Sequence, residues 1–97
     1  MIHHLVLFRL RPGVQREDPR VARVVSAMGR LPGRIGFIRG WESGWNLVAD
    51  AQAWDYGLRA AFEDRAALEA YFDHPEHLPV LAQWEEIAEL AFCDFEG

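Results

Sequence analysis

Four histidines, two tyrosines and one cysteine are the side chains here best suited to acid–base, nucleophilic or metal chemistry near neutral pH. His74 and His77 stand three apart, as metal ligands sometimes do. Pro75 breaks the helical geometry between them and no third ligand accompanies them, so neither a metal nor another cofactor is expected. Tyr71 lies six residues before His77. If both converge on an apolar cavity, desolvation keeps the imidazole neutral and able to accept a proton while the phenol donates a hydrogen bond. A substrate would then need an acidic C–H or O–H proton. The same two side chains could instead satisfy backbone groups around the proline break, and spacing alone leaves both roles open. Cys93 has no evident cationic neighbour to make it a thiolate, and is expected as a small buried residue of the last strand. No glycine-rich phosphate loop, Gly-x-Ser-x-Gly turn or dinucleotide fingerprint is present, so hydrolase, kinase and NAD readings have no support.

The elements that must position these groups follow from periodicity. Residues 2–10 read as a strand apolar on both faces, with Ile2, His4, Val6, Phe8 and Leu10 pointing one way and His3, Leu5, Leu7 and Arg9 the other. Asp18 before Pro19 predicts an N-cap, and Val21, Val24, Val25, Met28 and Leu31 recur at helical spacing up to Pro32-Gly33. A second strand is expected from Ile35 to about Trp45, with Phe37, Trp41 and Trp45 on one face. Gly36, Gly40 and Gly44 on the other face suggest bends or close backbone approach. After a loop at about 46–53, a third strand from Trp54 to Glu63 places Trp54, Tyr56, Leu58, Ala60 and Phe62 on one apolar face. Asp64 caps a second helix running to about Asp73, with Leu68, Tyr71 and Phe72 buried. A short helix containing Val80, Leu81 and Trp84 follows the proline, and a last strand covers about 87–95. Trp41, Trp45 and Trp54 are read as core filling rather than pocket lining.

The order β, α, β, β, α, β is the split-βαβ pattern of ferredoxin-like α+β folds with a four-stranded antiparallel sheet. Right-handed crossovers put both helices on one face of that sheet, leaving the other open. The apolar Trp54, Tyr56 and Leu58 face and the His4, Val6 and Phe8 face then lie under the helices, and Leu5, Leu7, Gly57 and Ala61 are left outside. Burying a leucine contributes about 1.5–3 kcal/mol, so the paired leucines favour a second copy packed sheet to sheet about a two-fold axis.

The whole chain of 97 residues is read as one domain, 51% apolar, with ten basic residues against fifteen acidic ones and a net charge of −5. The basic residues are all arginine and are scattered singly, so nucleic acid and anionic membrane are not expected partners. No apolar run approaches the roughly 20 residues needed to span a bilayer, and no signal-peptide pattern opens the chain; a cytoplasmic location is the expectation. A single cysteine forbids an internal disulfide.

Particular blocks carry a family likeness: His4-Leu5-Val6-Leu7-Phe8-Arg9-Leu10-Arg11-Pro12-Gly13, Leu31-Pro32-Gly33, Phe62-Glu63-Asp64 and Leu68-Glu69-Ala70-Tyr71. His74-Pro75-Glu76-His77 and Asp94-Phe95-Glu96 complete the set. The chain resembles the stress-responsive A/B barrel (Dabb) domain over nearly its full length. That resemblance implies a ferredoxin-like protomer in a homodimeric α+β barrel. Most members are uncharacterised proteins linked to stress responses, while plant polyketide cyclases of the family perform aldol closure without a cofactor. In those cyclases a histidine matching His77 is the base, a tyrosine matching Tyr71 assists it, and a histidine matching His4 borders the pocket. Tyr56 stands where they carry a further histidine.

Three readings therefore stand open. In the first, a small apolar molecule binds between helices and sheet against His4, Val6, Phe8, Tyr56, Leu58, Tyr71 and His77, with catalysis by His77 and Tyr71 in cyclase-like fashion. The second is a cofactor-independent monooxygenase of the antibiotic-biosynthesis type. The third is a non-catalytic stress or binding module whose pocket is filled by side chains.

Overall fold

The sheet is built around β1, Ile2–Leu10, which in the computed structural model, describing residues 1–97, pairs through all nine residues on one side and through Ile2 to Phe8 on the other. Next come α1 (Pro19–Gly29), a single helical turn α2 (Leu31–Arg34), β2 (Gly40–Trp45), β3 (Tyr56–Phe62), α3 (Arg65–Phe72), α4 (His77–Ile87) and β4 (Ala88–Glu96). The four strands pair antiparallel in the order β2-β3-β1-β4. This is the ferredoxin-like α+β arrangement expected from the element order.

Alternation along β1 decides what lies inside. His4, Val6 and Phe8 are buried beneath the helices, whereas Leu5 is half-buried and Leu7 is 48% exposed on the opposite face. On β3, Tyr56, Leu58, Ala60 and Phe62 continue the inner face. Val21, Val24 and Met28 of α1, Leu68 and Tyr71 of α3, and Val80, Trp84 and Ile87 of α4 close over them. Asp18 accepts from the Arg20 amide and Asp64 from the Ala67 amide, so both expected N-caps are made.

Several expectations need correction. β2 begins at Gly40, not Ile35, because the Ile35 amide is committed to Leu31 O at 2.8 Å and closes α2. Pro32 is accommodated in the first turn of α2, where no amide donor is needed, so the proline opens a helical turn as well as ending α1. Of the three glycines, only Gly40 is crowded: a Cβ there would lie 3.1 Å from Cβ of Ala61, its partner across the ladder. β3 begins at Tyr56, not Trp54. Asp55 crosses over, accepting from the Leu10 amide, and Trp54 leaves the inner face to stack under the Arg9 guanidinium at 4.4 Å. Ala61 is 7% exposed although it belongs to the outer face. The third long helix is not short: α4 runs for 11 residues. Cys93 is exposed, because β4 is an edge strand and its alternation sets Cys93 opposite Leu5 on the open face.

Candidate functional site

His4 reaches the inner space because the β1 pleat turns it under α3, and a carboxylate fixes its ring. In the β1–β4 ladder His4 faces Asp94, and Nδ1 of His4 lies 2.5 Å from Oδ1 of Asp94. The carboxylate can only accept, so Nδ1 carries the proton of this bond. The imidazole is 6% exposed and the carboxylate 23%.

Tyr71 and His77 come together through the break between α3 and α4. α3 ends at Phe72, and the His74 amide bonds to Tyr71 O at 3.1 Å. Nδ1 of His74 accepts from the Glu76 amide, and Glu76 pairs with Arg34 at 3.6 Å. Pro75 thus sits in a turn that reverses the chain, so that His77 opens α4 with its ring directed back at α3. Nδ1 of His77 is 3.1 Å from Phe72 O. A carbonyl can only accept, so Nδ1–H donates and Nε2 keeps its lone pair. The Tyr71 and His77 rings lie 4.2 Å apart between centroids, and His4 is 5.9 Å from Tyr71. One imidazole nitrogen therefore does satisfy the backbone at the proline break. The other is left free, so the two roles that spacing left open are divided between the two nitrogens of one ring.

These three polar side chains line a cavity of about 260 Å³ between sheet and helices. The remaining walls are Val6, Phe8 and Leu58 from the sheet, Met28 and Leu31 from the α1–α2 segment, Phe72, Val80, Leu81 and Trp84 from the later helices, and Leu90 and Phe92 of β4. Even the Trp84 indole nitrogen is occupied, donating to Sδ of Met28 at 3.3 Å. The Tyr71 hydroxyl bonds to nothing in the chain. Burial holds it protonated, well above the ordinary phenol value. Burial likewise holds the His77 pKa below the usual imidazole value, the bond to Phe72 working against this and the neighbouring His4 and His74 reinforcing it. At neutral pH the site thus offers a neutral base and a neutral donor.

Of the residues expected to line this space, His4, Val6, Phe8, Leu58, Tyr71 and His77 do so. Tyr56 does not: its ring packs against Phe8, Trp45 and Trp84, and its hydroxyl is 3.0 Å from Oγ of Ser43. Nothing in the sequence pattern directs Trp84, Met28 or Phe92 to the site, and Asp94 is a further addition. Asp94 was legible in principle, since antiparallel pairing of the first and last strands puts an acidic residue opposite His4. Periodicity places Trp84 in the last helix and gives it no role at the site. Trp41 and Trp45 pack against the core, as expected of them.

The family model described as the stress responsive A/B barrel domain (Dabb) matches residues 2–96. The chain belongs to the Dabb family. An uncharacterized protein of Streptomyces coelicolor is 42% identical over 96 residues, spanning 99% of both chains. Among solved structures, a dimeric protein of unknown function and ferredoxin-like fold from Bacteroides fragilis is 29% identical, with a TM-score of 0.82 over 99% of this chain and 95% of that one. A dimeric ferredoxin-like protein of unknown function from Thermobifida fusca is 27% identical, with a TM-score of 0.85 over 99% and 90%. A hydroxynitrile lyase from Passiflora edulis, 14% identical with a TM-score of 0.83 over 97% and 90%, shares the fold alone. In this Dabb chain no helix is long and apolar enough to cross a membrane.

Proposed function

We propose that this Dabb protein works as a homodimer in which each protomer binds a small, largely apolar carbonyl compound and moves a proton next to its carbonyl group without a cofactor. Nε2 of His77 takes the proton from the carbon. The electron pair of that C–H bond moves toward the carbonyl oxygen, and the Tyr71 hydroxyl donates a hydrogen bond to the enolate as it develops. The enolate carbon then attacks a second carbonyl, as in an aldol closure, whose π pair moves onto its oxygen and takes the proton from the imidazolium, or the enolate carbon itself recovers that proton.

The observation that carries this reading is the pairing of a buried imidazole whose Nδ1 is committed to Phe72 O with a phenol that has no partner, both facing a space the surrounding rings line without filling. A purely structural histidine would need no cavity beside its free nitrogen. Dimerisation draws support from the exposed Leu7 beside Leu5 on a central strand and from the dimeric relatives at 29% and 27% identity. The cyclase-like aldol step draws support from the proximity of His77, Tyr71 and His4 in the lining of one cavity.

The test is hydrogen–deuterium exchange at the central carbon of benzoylacetone, followed by NMR in deuterated buffer. The purified protein is expected to accelerate exchange above the buffer rate, and His77→Ala of verified fold to abolish the acceleration. Undiminished exchange in that variant would refute the assignment.

A further inference from the structure

The charges around the cavity narrow what can occupy it, on the reading above that the cavity is the binding site. None of its lining residues is an arginine, the only permanently cationic residue type in this chain. Arg34, close in sequence to the wall residue Leu31, is exposed and turned to Glu76. The two imidazoles do not replace an arginine. His4 already has Asp94 as its counter-charge, so any positive charge it carries is cancelled beside it. His77 sits where burial opposes protonation. Outside the cavity, Phe72 also borders a second groove that holds Glu69, Asp94 and Glu96. Its one cation, Arg65, is held by Glu69 at 3.0 Å. A negatively charged group therefore meets carboxylates at the groove and no free cation within.

We propose that the cavity selects uncharged carbonyl compounds, larger than a single benzene ring, and rejects their carboxylate counterparts, so that any anionic tail of a physiological ligand stays outside in water. The size follows from the volume: a dry apolar cavity of about 150 Å³ already holds benzene, and this one is larger. The selection follows from desolvation, since an ionised carboxylate buried without a cationic partner loses its hydration and recovers little. The carbonyl of a neutral ligand instead meets the Tyr71 hydroxyl, which has no competing partner.

The experiment compares methyl β-naphthyl ketone with β-naphthoate, two probes on one ring system, by calorimetric titration of the intact protein near pH 7.5. Occupancy of the cavity is read from the shift of the Trp84 indole proton. The ketone is expected to bind at least about a hundredfold more tightly. Leu81→Arg, which places a cation on the half-buried part of the wall, is expected to narrow the ratio at least tenfold by strengthening naphthoate binding. Naphthoate binding as tight as the ketone overturns the selectivity while leaving the site itself standing. Failure of both probes to bind or to move the Trp84 signal overturns the site as well.

Discussion

Changing Tyr71 to phenylalanine separates chemistry from architecture at this site more cleanly than any histidine variant. The substitution removes one oxygen. The ring is 1% exposed and keeps its neighbours, Phe62 at 5.0 Å and His77 at 4.2 Å. Because the hydroxyl bonds to nothing in the chain, its loss breaks no internal hydrogen bond, and stability in urea is expected to change by no more than about 0.5 kcal/mol. The effect on proton transfer should be far larger. Removing one preformed donor from a developing oxyanion costs about 2.7–4 kcal/mol, a rate loss of about a hundredfold to a thousandfold. Since the hydroxyl already meets the ground-state carbonyl but its bond strengthens as the enolate charge develops, the larger part of the loss should fall on kcat of benzoylacetone exchange, with a smaller rise in KM. An unaltered exchange rate in folded Tyr71→Phe would refute the enolate-stabilising role. Destabilisation above about 1 kcal/mol would show instead that the hydroxyl holds structure together.

Four further outcomes follow from the same structure. Exchange needs the neutral His77 ring, whose pKa is lowered chiefly by burial; the rate should hold as pH falls through the ordinary value of 6.5 and decline only below it, and an inflection at or above 6.5 would count against His77 as the base. The sign for folding is the same: the His77 contribution is fully present above 6.5 and is lost as pH falls through the depressed folded-state value, seen as an acid-side fall in urea midpoint that His77→Phe flattens. Leu7→Asp sets a carboxylate on the open sheet face where the protomer leaves the leucine 48% exposed, so light scattering after gel filtration should show monomers at micromolar concentration with secondary structure retained. Phe8 stacks on Trp84 at 4.1 Å and is 2% exposed, so Phe8→Ala is expected to cost about 3–5 kcal/mol in urea unfolding, and a loss under 1 kcal/mol would mean the cavity simply collapses around it.

The fold was legible where one periodicity dominated a whole element. β1 carries two apolar faces with no internal breaker, α1 is fixed at its start by Asp18-Pro19, and α3 by Asp64, and each shows its expected faces except that Phe72, expected buried on α3, is only half-buried. Legibility failed at element ends, where a tertiary bond outweighs a local pattern. Ile35 looks like the start of a strand, but its amide is taken by Leu31 O. Trp54 fits the alternation of β3, but Arg9 and the Asp55 crossover lift it off the inner face. Cys93 was misplaced for a related reason: composition suggests burial, whereas position on an edge strand and pleat parity decide exposure.

The site was legible in part because its residues come from elements with strong local signals, and obscure where it depends on strand register. His4, Val6 and Phe8 follow from β1 parity alone. Asp94 required knowing that β4 pairs with β1 so that residue 94 meets residue 4, a single alignment among several that the last strand could adopt. That register also ties the two faces of the sheet together. The offset that brings Asp94 under His4 simultaneously sets Cys93 against Leu5 and Ala91 against Leu7 on the outer face. A slip of one residue would turn Asp94 outward among those apolar residues and carry Cys93 inward beside His4, leaving the imidazole without its carboxylate. The open face and the cavity are thus specified by the same pairing, and His4 keeps its counter-charge only while the outer face stays free of that carboxylate.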